Sequence, residues 1–214
     1  MKNMRALGIA LAAIFAISAM SASAATAASW YLQGSPLTKA EKVSSETTIT
    51  FEESGTGIAL QCERVYREGL VNPGVTGEIT SILQEHAGSK QIRCKVIREG
   101  SGRWARFCPE NKDNYVEAVN LPWHTELETI GEKLRDVISG ENKLPAEFHI
   151  QCEGAPVIDC FAETNTSVTN VSQGVELATD SNSPTSSCAG FGGKLHLGYH
   201  EVLKAASGKV LAVK

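Results

Sequence analysis

Six cysteines, five histidines and one dense run of bases are the side chains of this 214-residue sequence most able to do chemistry. The cysteines are Cys62, Cys94, Cys108, Cys152, Cys160 and Cys188. None stands in the C-x-x-C spacing of a structural zinc site, so no metal is expected there. An even count with no close pair points to disulfides. Six cysteines allow 15 pairings. Cys94 and Cys108 are symmetric about Ser101, inside Gly100-Ser101-Gly102, and Cys152 and Cys160 are symmetric about Pro156, beside Gly154. Facing residues of a hairpin bring Cβ atoms near disulfide distance, so the spacing predicts bridges Cys94–Cys108 and Cys152–Cys160. Cys62 and Cys188 are left to join distant parts of the chain.

The histidines suggest two sites. His196 and His200 form H-x-x-x-H before Glu201, but Gly193, Leu195, Leu197, Gly198 and Tyr199 read as a strand. Positions four apart on a strand stand about 13 Å apart, too far to share an ion, so exposed strand histidines are expected. His124 and Glu126, in Leu121-Pro122-Trp123-His124-Thr125-Glu126, have the chemistry of an acid/base pair if both face a cleft. The competing reading makes the phrase a strand-to-helix corner with Trp123 buried, and this reading is preferred; no catalytic residue is assigned. The sequence holds no G-x-S-x-G elbow, H-E-x-x-H, phosphate loop or dinucleotide fingerprint. No cofactor is expected.

The run of bases is Lys90, Arg93, Lys95, Arg98, Arg103 and Arg106, against the single acid Glu99, with Trp104 and Phe107 among them. On an acidic chain such a hairpin is suited to an anionic polymer, and Arg93, Lys95, Arg103 and Trp104 are the candidate binding residues. A charged sheet face that discourages edge pairing is the plainer alternative.

These residues must be carried by strands. Ile49 and Phe51, then Ile58, Leu60 and Cys62, alternate across the turn Glu53-Ser54-Gly55-Thr56-Gly57. Further strands are expected over 78–83, 91–98, 103–108, 115–121, 148–152, 157–161, 193–203 and 209–213. The fold class is therefore mainly β, an antiparallel sandwich or barrel stapled by disulfides. One helix is expected over about 126–139, from the stripe Leu127, Ile130, Leu134, Val137 and Ile138 and the capping box Thr125/Glu128. Fourteen of the 25 residues 163–187 are Ser, Thr or Asn, which predicts a long loop with edge-strand pieces.

Residues 1–24 read as a signal peptide: basic Lys2 and Arg5, an apolar run 6–20, then Ala22-Ser23-Ala24. The run is too short for a membrane span. The expected organisation is an N-terminal β block 25–122, a helix and connection 123–144, and a C-terminal β block 145–214, the two blocks forming one domain or two. The net charge is −4, and loss of the signal removes two bases and no acid, which disfavours nucleic acid as a partner.

With the alanine-rich leader, Trp30, Gly34 and Leu37, the Gln61-Cys62 and Gln151-Cys152 strands and the phrase 121–127, the chain resembles small secreted bacterial proteins that are β-rich, disulfide-containing and without an assigned activity. The resemblance carries no functional residue. The expected role is non-enzymatic: binding or structure at or near the bacterial cell surface, with an anionic surface polymer or another protein as partner. Two alternatives stay open. One is an extracellular hydrolase with its site near His124 and Glu126; the other is an inhibitor presenting the rigid loop 98–103 or 153–159.

Overall fold

The computed structural model describes residues 28–54, 57–84, 90–99, 108–109, 112–162, 164–179, 186–188 and 194–214. The proposed signal peptide 1–24, Arg103, Trp104 and all but the last residue of the expected strand 103–108 lie outside the described residues. The described strands are β1 (Trp30–Leu32), β2 (Ser35–Pro36), β3 (Glu41–Glu53), β4 (Ala59–Val71), β5 (Thr76–Gln84), β6 (Gln91–Arg98), β7 (Asn114–Val119), β8 (Trp123–Ile130), β9 (Lys133–Ser139), β10 (Ala146–Gln151), β11 (Ile158–Ala162), β12 (Thr164–Val171), β13 (Gly174–Ala178), β14 (Ser186–Cys188), β15 (Lys194–Ala205) and β16 (Leu211–Val213). The fold is mainly β, as the alternation indicates.

One large antiparallel sheet closes on itself twice, because β13 pairs with β15 and β4 pairs with β6. The first ring runs β3, β4, β5, β8, β9, β12, β13, β15; the second runs β3, β4, β6, β7, β10, β11, β14, β15. The long strands β3, β4 and β15 belong to both, one half of each strand to either ring. Strands from the early and late parts of the sequence thus share one sheet. An eight-stranded ring has an interior just wide enough for side chains to fill it. A small sheet of β16, β1 and β2 covers the far end of the first ring with Trp30, Leu211 and Val213. Asn170 on β12 pins it, exchanging hydrogen bonds with the backbone N–H and carbonyl of Val213.

Where the rings meet, β4 carries a bulge. Thr47 faces Val65 and Ile49 faces Cys62, so Thr48 on β3 stands against both Glu63 and Arg64. Arg64 adopts φ 52° there, a left-handed conformation uncommon for a side chain of its size. Two successive residues, Glu63 and Arg64, point outward, and this resets the alternation so that Leu60, Cys62, Val65 and Val71 all face inward. Without the extra residue, one half of β4 would turn its apolar side to solvent.

The expected helix is instead the hairpin β8–β9. Ile130 faces Lys133 across the loop Gly131-Glu132, and Gly131 takes φ 65°, the positive value that the first position of a type II′ turn demands. Trp123, Thr125 and Leu127 are buried while His124, Glu126 and Glu128 are exposed, a period of two. Thr125, read as a helix cap, is an inward strand residue. The expected loop 163–187 is likewise corrected over much of its length: β12 and β13 form a hairpin built into the first ring, and β13 lies between β12 and β15 rather than at an edge.

All six cysteines are bridged, but as Cys62–Cys94, Cys108–Cys152 and Cys160–Cys188. Register explains the correction. On β10–β11, Ile150 faces Ile158 and Phe148 faces Cys160, so the hairpin turns about Gly154, two residues before Pro156. Cys160 is then free to face Cys188 across β11–β14. On β6, Cys94 faces Asn114 on one side and Cys62 on the other.

Candidate functional site

The interior is layered. One apolar cluster, with Phe51, Val65, Trp123, Phe148 and the cysteines, fills the second ring and the junction. Another, with Trp30, Val71, Leu177 and Leu203, fills the far end of the first ring. Between them lie the buried polar residues Ser45, Thr47, Arg67, Thr125, Asp136, Thr164, Thr166 and Glu201. Each comes from the inward phase of its strand. Arg67 follows Val65 on β4, Asp136 precedes Ile138 on β9 and Glu201 precedes Leu203 on β15.

Arg67 is the hub of this layer. Its Nη1 donates a short hydrogen bond to Glu201 Oε1, while Ser45 Oγ donates to Glu201 Oε2 at 2.6 Å. Its Nη2 lies 3.7 Å from Asp136 Oδ2, an ion pair without a hydrogen bond of normal geometry on the Asp136 side. Two carboxylates therefore share one guanidinium in a medium where charge is costly. Burial is the main cause that pushes the Asp136 carboxyl up to about 6; Arg67 pulls it back and Glu201 pushes it further. Burial, then Glu201, also raises the Tyr199 phenol, so Tyr199 stays neutral. A cavity of about 30 Å³ lies beside Tyr199, Thr164 and Glu201, walled otherwise by Ile49, Trp123 and Phe148. It has room for water and none for an organic ligand, whose pockets run to hundreds of Å³.

The raised Asp136 carboxyl has a stability consequence. The folded state holds this proton more tightly than the unfolded chain, whose value is 3.8. The ionisation penalty is therefore absent below that value and grows as pH rises from about 4 through 6, to about 3 kcal/mol. Urea denaturation of the wild type and Asp136→Asn across pH 4–8 is expected to show the difference. The variant should gain stability relative to wild type as pH rises through that window; parallel curves would refute the assignment.

Among the described residues the interior is filled by side chains, so an organic ligand would meet the outer surface. That surface holds a polar groove of about 940 Å³ over the junction of the rings. Outward residues of the three shared strands line it: Glu46 and Thr48 on β3, Gln61, Glu63, Arg64 and Tyr66 on β4, His200 and Lys204 on β15, with Gln173 from the β12–β13 turn. The bulged pair Glu63-Arg64 is part of its lining, and a bulge bends the strand that carries it. The exposed acids Glu46 and Glu63 are matched by the exposed bases Arg64 and Lys204.

The sequence-derived candidates fall as follows. Arg93 and Lys95 are exposed on β6, and each already faces an acid: Arg93 lies 2.8 Å from Asp113, and Lys95 bonds Glu63 at the rim of the groove. Arg98 is similarly paired with Glu52. Three of the described bases of this run are thus paired within the protein. His124 and Glu126 lie on the exposed face of β8, and His124 lines none of the concavities described. Trp123 is core: it packs edge-on against Phe148 at 4.9 Å, and its indole N–H donates to the Val119 carbonyl at 2.8 Å. His196 and His200 are exposed strand residues, as expected, and His200 Nε2 lies 3.2 Å from Glu176. Among the described residues one group has ligand atoms close enough to share an ion, Glu147, His149 and Asp159 on β10 and β11.

Sequence reasoning missed Arg67, Asp136 and Glu201 and the groove. The signal for the first three was a charge in the inward phase of an alternating strand; the groove, made from strands far apart in sequence, left none. Compared with known protein families, curated proteins and solved structures, the chain matches none.

Proposed function

We propose that this chain is an exported, non-enzymatic binding protein that acts at or near the bacterial cell surface, and that the groove over β3, β4 and β15 holds a polar, hydroxyl-rich surface polymer. The observation that carries the reading is the groove itself, a concavity of about 940 Å³ whose lining joins donors and acceptors with the ring of Tyr66 and the bulged pair Glu63-Arg64. Its lining mixes both signs, with Glu46 and Glu63 beside Arg64 and Lys204 and with Lys95 bonded to Glu63, which suits neutral segments of a glycan better than a uniformly basic face would. Gln61, Gln173, Thr48 and His200 supply the two-way hydrogen bonding that hydroxyl groups require, and Tyr66 supplies an apolar face with a polar tip. Charged and polar residues such as Lys42, Ser44, Glu46, Arg93, Lys95, Glu126 and Glu128 stand on the outer faces of β3, β6 and β8, interspersed with single exposed apolar side chains such as Ile97 and Ile130, a mixed surface unlike the continuous apolar band that a membrane barrel turns to lipid. Three disulfides suit an oxidising exterior.

The test is calorimetry of the folded, oxidised chain against a panel of soluble cell-wall and capsular polysaccharides, neutral and anionic. Binding of a neutral glycan is expected, and Tyr66→Ala combined with Gln61→Ala should weaken it about tenfold or more, as loss of a buried aromatic and its hydrogen bonds does. Charge reversal at Arg93 should leave it unchanged. Binding confined to anionic polymers, and abolished by reversal at Arg93 and Arg103, would overturn the groove reading in favour of the basic hairpin.

A further inference from the structure

The outer face of β10 carries side chains that neither the groove nor the interior uses. His149 stands mid-row across three strands, facing Asp159 of β11 on one side and Glu117 of β7 on the other. Glu147, two residues before it, shares its face. The three nearest ligand atoms converge: His149 Nε2 lies 3.3 Å from Asp159 Oδ1 and 3.5 Å from Glu147 Oε1, and all three atoms fall within 4.8 Å of one another. Ligands bound at about 2.1 Å to one ion stand roughly 3.0–3.4 Å apart for octahedral to tetrahedral angles. Two of the three edges are already near that spacing.

The supporting side chain is in place as well. Asn120, at the corner after β7 with φ 56°, donates from Nδ2 to Glu147 Oε2. That bond occupies one carboxylate oxygen and leaves Oε1 turned to His149, the kind of outer contact that fixes a metal ligand. The backbone here is β10, hydrogen-bonded on both sides, so the donors are held by a rigid element. His149 and Asp159 keep 37% and 50% of their side-chain surface exposed, which leaves the site open to water ligands.

We infer that Glu147, His149 and Asp159, with Glu117 beside them, form a binding site for a divalent transition-metal ion. One imidazole nitrogen and two or three carboxylate oxygens are the donor set of zinc and its borderline neighbours. Metal binding uses the imidazole lone pair and the ionised carboxylates, so it competes with protons for the same atoms. This inference is independent of the groove.

Zinc chloride titrated into the full oxidised chain, in chelator-free buffer at pH 7.5 and followed by calorimetry, should show one saturable site. His149→Ala should weaken it by roughly a hundredfold or more and Asn120→Ala by about tenfold, with Asp159→Asn as a second ligand variant and thermal melts confirming that each folds. His124→Ala and His200→Ala, exposed histidines on other strands, should bind as wild type. Absence of saturable binding below millimolar zinc, retention in His149→Ala, or equal loss in His200→Ala would each overturn the site.

Discussion

Arg67→Met is expected to lower the unfolding free energy by about 3–5 kcal/mol, because it leaves two buried carboxylates with no cation. Glu201 and Asp136 are 2% and 1% exposed, and Ser45 is too weak a donor to replace a guanidinium. The same physics makes a second expectation that separates ionic from packing loss. Arg67→Met combined with Glu201→Leu and Asp136→Asn removes every charge from the layer, and should recover most of the deficit or exceed wild type, since an apolar replacement of a buried ion network is often neutral or stabilising. Urea denaturation at pH 7.5 reads both. A triple variant no better than the single one would mean that Arg67 acts through shape and not through charge.

The second large effect lies at the seams of the second ring. Its closure between β4 and β6 has four facing pairs, Ala59 with Arg98 through Cys62 with Cys94. At β14 two pairs to each neighbour are made among the described residues. Two of the three disulfides sit at these joints, Cys62–Cys94 across the first and Cys160–Cys188 across the second. Replacing Cys62 and Cys94 together by alanine releases a cross-link spanning 32 residues, worth about 4 kcal/mol by loop-closure entropy. The loss should be local first: hydrogen exchange should rise in β6 and β7 before it rises in β8, β9 or β12, whose ring closes without a bridge. A loss under about 1 kcal/mol, or uniform exchange, would show that the ladder alone holds the seam.

Much of this architecture is legible in the sequence, and the parts that are not share one cause. The faces of β3 and β4 follow from alternation of Ile49, Phe51, Leu60 and Cys62, and β6 spans the expected strand 91–98. Periodicity reasoning assumes that the inward residue is apolar. The polar layer breaks that assumption where it crosses a strand. On β8 the inward Thr125 interrupts the row from Trp123 to Leu127, and the remaining apolar residues mimic a helical stripe. On β12 the inward Thr164 and Thr166 make a barrel strand look like a polar loop. The disulfide pairing failed for another reason: symmetry about a turn fixes partners only when the turn centre is known, and a shift of two residues at Gly154 changed them. The site was less legible still. Gln61, Tyr66, Gln173 and His200 come together only because three long strands are shared by two rings.

The groove is the central functional claim, and nuclear magnetic resonance tests it most directly. Backbone amide shifts of the oxidised chain would be followed while the polysaccharide selected by calorimetry is added. Binding at the groove predicts perturbations concentrated on Thr48, Gln61, Arg64, Tyr66, Gln173 and His200, with β10 and β11 unmoved. Perturbations gathered instead on β8 around His124 and Glu126, or on the outer face of β6 away from Glu63, would contradict it.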